Sequence, residues 1–318
     1  MGLSAQRSFL LILTLSSLFV DVSVSRSFPP AVGLAIARQI PLWLRSIRSS
    51  KWISRIWNKL KSFITFKELK LGDREEVLSY LKEYLNIFGY LNSTSQSNFS
   101  DYFTLDFQSA IITYQKNFNL NVTGNFDRNT SNMISQPRCG VPDIINDTTT
   151  MNSGVSNTTT FKPWWKEGKK ELIYAADPEN NVTNGVRLLF RDVFDRWSKV
   201  TSLKFTETTS FNGSDVRIAF VAFDGRGGTV GGAATDYSLG VESVYLDSEE
   251  EWVVRGESDE GDVDLEFVMM HVVGHVLVLG HSSVEEAVMY PVVLKEKKTE
   301  LVFNDLQRIH QIYDVTSK

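Results

Sequence analysis

Three of the four histidines in this 318-residue chain fall in one short run, HVVGHVLVLGH, as His271, His275 and His281. No other feature limits the local fold so tightly. Histidines four apart project from the same side of a helix about one turn apart, where both rings can reach a single ion. The third lies beyond Gly280, so the helix has to end and the chain fold back if that ring is to join the pair. Three imidazoles with a fourth position left open form the ligand set of a catalytic zinc, whereas structural zinc sites are closed by four protein ligands. A pair of histidines alone would more often be ordinary core residues on a helix; the third ring at this spacing favours metal.

The surrounding chain is that of a secreted globular protein. Its 42 % apolar composition suffices for one or two cores, each serving about 100 to 200 residues. Arg7, the apolar run Phe9 to Val20 and small residues at Ser23 to Ser25 have the layout of a signal peptide over residues 1–25, too short to span a bilayer. No later run of about 18 apolar residues follows, and Asp305 to Lys318 is polar, so neither a transmembrane segment nor a lipid-anchor tail is expected. Sequons at Asn92, Asn98, Asn121, Asn129, Asn146, Asn157, Asn181 and Asn212 fit an extracellular glycoprotein. Secreted chains use cysteines in pairs, yet Cys139 is alone and cannot form an internal disulfide, so it needs another role.

The net charge of -5 hides a division, because residues 38–70 are almost all basic while residues 242–266 are dense in Asp and Glu; two separable halves follow. The basic stretch also carries Trp43, Leu44, Ile47, Trp52, Ile56, Trp57, Leu60 and Ile64 at near-helical spacing. It reads either as a membrane-surface helix or as an amphipathic part of a pro-segment packed on its own domain. Val77, Leu78, Leu81, Leu85 and Phe88 predict a helix opened by Asp73 and closed by Gly89; a second is expected over about 103–118 and a third after Asp127, making a small bundle before Pro137. Ile144 to Thr160, rich in Ser, Thr and Asn, reads as an exposed linker and domain boundary. Beyond it, β-like runs at 172–175, 203–206, 216–221 and 241–246 mix with helices over 182–200, 263–279 and about 304–313, an α+β pattern.

Downstream of the histidines, Val288-Met289-Tyr290-Pro291 resembles the methionine turn beneath metzincin zinc sites, and Pro137-Arg138-Cys139-Gly140-Val141-Pro142-Asp143 resembles a cysteine switch. With Val263-Asp264-Leu265-Glu266 before His271 and Asp305 in the last helix, the chain after its signal peptide resembles a matrixin, a matrix metalloproteinase of the secreted plant type. The resemblance implies a propeptide over 26–143 with a small all-α peptidoglycan-binding-like domain at about 72–135 and the switch at 137–143, a linker at 144–160, and an α+β metzincin-type catalytic domain over 161–318, a twisted mixed sheet with three helices. It implies a zinc endopeptidase zymogen acting on extracellular-matrix or cell-wall proteins in the apoplast or matrix. Protein or peptide substrates are its expected partners; nucleic acid is not, and a monomer is expected. Cys139 would fill the fourth zinc position, since a thiolate is a strong zinc ligand, with Arg138 and Asp143 bracing its loop; an inert buried thiol is the alternative. Met289, Tyr290 and Pro291 would border the substrate pocket. Asp224, Gly225, Gly227, Thr229, Asp247 and Glu250 resemble the family's calcium site, against the simpler reading of an acidic turn.

Three departures from the family pattern matter. The residue after the first histidine, a glutamate that moves protons in such enzymes, is Val272, and valine can neither accept nor donate one. Val278 stands where a glycine ends the helix, so strain or a rebuilt turn is expected. Gly232 and Tyr245 replace histidines of a second, structural zinc, and no histidine precedes His271, so only one zinc is expected. Either a weak or inactive peptidase, or a pseudoprotease that binds peptides or partner proteins without turnover, follows.

Overall fold

The computed structural model describes residues 25–26, 67–91, 99–151, 163–254, 261–293 and 299–313. The Trp-rich run 43–64, residues 1–24 of the expected signal peptide and the sequons at Asn92, Asn98 and Asn157 lie outside them.

The N-terminal unit is built from α1 (Val77–Ile87), α2 (Leu105–Asn117) and α3 (Arg128–Ile134). Thr104 caps α2 by accepting from Phe107 N–H, and Asp127 caps α3 by accepting from Thr130 N–H, each satisfying an orphan donor of the first turn. Helix α1 begins later than expected: the Asp73 carboxylate accepts from Lys70 N–H in the preceding turn, and Glu76 stands at the N-cap with its carboxylate turned to accept from Tyr80 Oη at 2.9 Å instead of capping the first turn. Leu78, Leu81, Leu85, Phe107, Ile111 and Tyr114 form the buried heart of this unit. Gly89 closes α1 at φ +87°, and a Cβ there would lie 2.1 Å from the Ile144 carbonyl oxygen; only glycine lets these two backbones meet.

Residues 144–151, the described part of the segment expected as an exposed linker, hold a hairpin with buried residues behind it. After β2 (Arg138–Cys139), β3 (Ile144–Ile145) and β4 (Thr148–Thr149) form a hairpin, turned by Asn146 and Asp147 at φ 49° and 60°, the left-handed pair that a two-residue hairpin requires. Thr150 and Met151 behind it are buried. Its Asn, Asp and Thr residues serve a tight turn, which periodicity does not detect; residues 152–162 lie outside the described set.

The C-terminal half centres on a six-stranded sheet of order β2-β8-β9-β7-β5-β6, with β5 (Glu171–Ala176), β6 (Lys204–Glu207), β7 (Val216–Val221), β8 (Thr229–Asp236) and β9 (Val241–Asp247). Every pairing in it is parallel except β8 with β9. A smaller sheet pairs β1 (Ser25–Arg26) antiparallel with β10 (Trp252–Val253), and β10 parallel with β11 (Val263–Asp264). Helices α4 (Asn184–Lys199), α5 (Leu265–Val276) and α6 (Phe303–Tyr313) complete the three helices expected of this half. The Gly-Gly-Ala-Ala stretch of strand β8 has low β-propensity, so the sequence does not mark it as a strand. Its small residues have a packing reason: a Cβ on Gly231 would meet the Tyr245 carbonyl at 2.9 Å and Val268 of α5 at 3.3 Å, so the strand lets the helix approach closely.

Candidate metal centre

Helix α5 carries the first two histidines. It starts at Asp264, whose carboxylate accepts from Phe267 N–H at 3.0 Å, and every residue from Phe267 to Val276 is buried, as an apolar run on all sides demands. Its end is a Schellman turn: Leu279 N–H donates to the Gly274 carbonyl and Val278 N–H to that of His275. The turn requires a left-handed residue, and Val278 supplies it at φ 62°, a conformation that costs a β-branched residue of order 1–3 kcal/mol. The substitution therefore strains the turn without rebuilding it. Trp164 Nε1 donates to the Val276 carbonyl at 2.8 Å and Tyr313 Oη to that of Leu277 at 3.3 Å, satisfying carbonyls that a helix end leaves open. Beneath the helix, a Cβ at Gly274 would lie 2.2 Å from Met289 Sδ, so a glycine here is what lets the methionine pack against the ligand-bearing turn.

All three rings are fixed through Nδ1. His271 donates to the Val288 carbonyl at 2.7 Å, His275 to the Leu279 carbonyl at 2.8 Å and His281 to Asp143 Oδ1 at 2.7 Å. Each partner is an acceptor, so each ring carries its proton on Nδ1 and presents a bare Nε2 lone pair. Those nitrogens converge: His275 Nε2 lies 3.1 Å from that of His271 and 3.2 Å from that of His281, and Cys139 Sγ lies 3.5 Å from His275 Nε2. The four ligand atoms lie within 4.8 Å of one another. With Zn–N of about 2.0–2.1 Å and Zn–S of about 2.3 Å, tetrahedral ligands stand roughly 3.3 Å (N to N) and 3.5 Å (S to N) apart. Lone pairs so close repel unless a cation lies among them, so this donor set fits zinc.

Burial, aided by the neighbouring rings, holds His271 down to about 3 and His275 well below the usual imidazole range; His281 is lowered by burial against the opposing pull of Asp143. All three are neutral, as metal binding requires. Burial likewise pushes the Cys139 thiol up to about 12, so only a bound cation would make it a thiolate.

The N-terminal half delivers Cys139 on a strand, β2, that joins the sheet beside the histidines. β2 runs parallel to β8, Cys139 N–H donates to the Pro291 carbonyl at 2.8 Å, and Val293 N–H donates to the Pro137 carbonyl at 2.8 Å. Arg138 and Asp143 form a fully buried ion pair at 2.7 Å. Burial alone would raise Asp143, but the Arg138 charge and the His281 hydrogen bond hold it at about 2. The guanidinium lies 3.6 Å from the Phe88 ring centroid and donates to Tyr84 Oη at 3.0 Å. The bracing roles expected of Arg138 and Asp143 thus have their geometry; the bond from His281 to Asp143 was not legible, since the two are far apart in sequence.

The cleft beside His271 and Cys139 is lined by Val230, Phe267, Val268, Val272, Tyr290 and Pro291, and no carboxylate lines it among the described residues. Met289, expected at its border, lies instead in the core against Gly274, where its sulfur fills the space under the helix. Gly232 and Tyr245 face each other across β8 and β9, and Tyr245 is buried in an apolar cluster.

The six residues expected to form a calcium site also come together. Thr229 N–H donates to both Asp224 oxygens at 3.2 Å, Gly227 N–H to Glu250 at 2.7 Å and Phe223 N–H to Asp247 Oδ1 at 3.2 Å. Gly225 and Gly227 take φ 89° and 80°. Asp247 Oδ2 is buried without a hydrogen-bond partner. Burial and the adjoining acidic charges raise Asp247 to about 9 and Asp224 well above the carboxylate range. Buried carboxylates kept this close, one with an orphaned oxygen, are hard donors suited to a divalent cation.

Comparison with known proteins bears on both halves. The matrixin family profile matches residues 164–314, and a peptidoglycan binding domain profile matches residues 74–134. Metalloendoproteinase 2-MMP of Arabidopsis thaliana is 38 % identical over 281 residues, 79 % of this chain and 74 % of that protein. Metalloendoproteinase 5-MMP of the same plant is 38 % identical over 291 residues, 84 % and 79 % of the two chains. Metalloendoproteinase 1 of Glycine max is 38 % identical over 261 residues, covering 77 % and 84 %.

Proposed function

Since this chain belongs to the matrixin family of metalloendopeptidases, we propose that it is a secreted zinc-holding zymogen of that kind whose peptide hydrolysis is crippled at position 272. The observation that carries the reading is a contrast at one site: His271, His275, His281 and Cys139 converge as a complete ligand set, while the side chain next to His271 is a fully buried valine. His271, His275 and His281 would hold the metal, with Cys139 as the fourth ligand in the latent chain. Zinc so held supplies Lewis-acid polarisation of a scissile carbonyl and of an attacking water.

What the chain lacks is proton traffic. Val272 can take no proton and return none to a leaving amine, and the loss of a general base costs about 10²- to 10⁴-fold. Among the described residues, no carboxylate lining the cleft stands in for it. The apolar walls at Val230, Phe267 and Tyr290 remain suited to a side chain of an extended peptide, added along the β8 edge that β2 now occupies. Substrates or ligands are extracellular or cell-wall proteins. Asp224, Asp247 and Glu250, with the Gly225 to Thr229 turn, hold calcium. The described sequon residues Asn121, Asn129, Asn146, Asn181 and Asn212 are all exposed, which supports glycosylation on the secretory route; the chain acts as a monomer.

A role in binding peptides or partner proteins without turnover rests on the same contrast, because the cleft is kept and only the base is gone. The two readings part in one assay: peptide cleavage by the matured chain beside its Val272→Glu form, at matched zinc content. Chelator-sensitive cleavage well below the Val272→Glu form supports a weak peptidase, and none at all supports the binding role. Equal rates in the two proteins would overturn both.

A further inference from the structure

The outer contacts of the three rings differ in one respect. His271 and His275 donate to the backbone carbonyls of Val288 and Leu279, both in the catalytic half and both neutral. His281 donates instead to a carboxylate, Asp143 Oδ1, which belongs to the prodomain. Both residues are fully buried, so the contact is shielded from water. Oδ1 also accepts from Arg138 Nη2 at 2.7 Å, and Oδ2 accepts from Tyr90 Oη at 2.9 Å; Asp143 is therefore pinned from two sides before it meets the ring.

We propose that Asp143 is a positioning residue of the metal centre itself: beyond bracing Cys139, it orients His281 through Nδ1 and tightens zinc binding in the latent chain. The inference rests on the zinc reading above. A carboxylate behind a ligating imidazole fixes its tautomer and rotation and raises the basicity of the coordinating nitrogen, and removing such a partner typically costs 10- to 100-fold in metal affinity. The prodomain then contributes twice, one ligand by Cys139 and one supporting anion by Asp143. Removing it exchanges both for solvent, leaving His281 as the one ring without its structured partner while His271 and His275 keep theirs.

The test separates support of His281 from bracing of Cys139 by deleting the thiol. Zinc affinity of the full-length chain is measured by competition with a fluorescent zinc chelator for the Cys139→Ala protein and for Cys139→Ala with Asp143→Asn. With no thiol left to brace, Asp143→Asn is expected to weaken zinc binding roughly 10- to 100-fold. Equal affinities would overturn the proposal, because Asp143 would then act only through Cys139. Asp143→Asn leaves the buried Arg138 without its anion and can unfold the prodomain. A second comparison, Arg138→Met with Cys139→Ala, with and without Asp143→Asn, removes that charge and must show the same loss, with circular dichroism unchanged; no loss here refutes the proposal. If the Cys139→Ala chain holds no zinc that His275→Ala abolishes, the zinc reading itself fails, a result distinct from equal affinities.

Discussion

Restoring the missing carboxylate tests whether the defect lies in proton transfer alone. The perturbation is Val272→Glu, made alone and with Val278→Gly, in chains whose prodomain has been removed by limited proteolysis. The structure decides how far the second change should matter. Although Val278 sits at φ 62°, both hydrogen bonds of the Schellman turn are intact, and His281 Nε2 stands 3.2 Å from that of His275; the strain is stored without displacing the third ligand. Val272→Glu alone should therefore raise kcat/KM by at least about 10², or about 2.7 kcal/mol of barrier at 1.36 kcal/mol per tenfold. Val278→Gly relieves a left-handed valine worth about 1–2 kcal/mol. It gives up half-buried apolar contact of about 1 kcal/mol and adds unfolded-state freedom of about 0.4–1 kcal/mol. Its net effect on stability is thus within about 1 kcal/mol, and on kcat/KM within about threefold. The assay is hydrolysis of a quenched fluorescent peptide at equal zinc occupancy. Activity that appears only in the double variant would refute the claim that the ligand geometry survived; an unmodified chain as fast as Val272→Glu would refute the role assigned to position 272.

Zinc removal by a chelator is expected to raise the labelling rate of Cys139, now 3 % exposed, in the folded full-length chain; an unchanged rate would dismiss the thiol as a ligand. Calcium at 100 times its Kd should raise unfolding free energy by about 2.7 kcal/mol, and Asp247→Asn should abolish the rise, as read by thermal unfolding with and without the ion. Glu242, buried and hydrogen-bonded by Thr235 Oγ1 at 2.5 Å, is pushed by burial up to about 8. Its folded value exceeds its unfolded one, so the native state holds a proton that the unfolded chain releases, and stability falls as pH rises from about 4.5 to 8. At 1.36 kcal/mol per unit the effect is on the order of a few kcal/mol. Glu242→Gln should flatten that slope in denaturant titrations at pH 5 and 8, and an unaltered slope would assign it elsewhere.

Where the sequence was readable, one residue type in one spacing carried the information. The i, i+4 histidines, the helix-ending strain at Val278 and the apolar faces of α1 and α4 depend on neighbours along the chain, and each has its counterpart in the structure. What stayed hidden depends on tertiary approach. Strand β8 is made of residues that disfavour strands, and only its closeness to α5 explains them. The hairpin at 144–149 was masked by polar turn residues whose partners Thr150 and Gly89 matter only once it packs. Asp143 meets His281 across 138 residues, a distance over which spacing says nothing.

Positions 272 and 278 are both valine, yet their structural consequences differ for a definite reason. Many contacts that do not involve residue 278 hold the metal pocket: the carbonyls of Val288 and Leu279, the fit of Met289 on Gly274, and the Asp305 carboxylate accepting from Val288 and Met289 N–H at 3.0 and 3.2 Å. Strain of order 1–3 kcal/mol at one turn is therefore absorbed. Residue 272 faces a cleft that is lined mostly by apolar side chains and, among the described residues, by no carboxylate, Lys or Arg, so a buried valine there avoids the cost of burying a charge. The fold opposes loss of a ligand far more strongly than loss of the base. A matrixin that drifts at residue 272 would therefore keep its converging ligand set and its cleft, and on the function proposed above it would lose turnover.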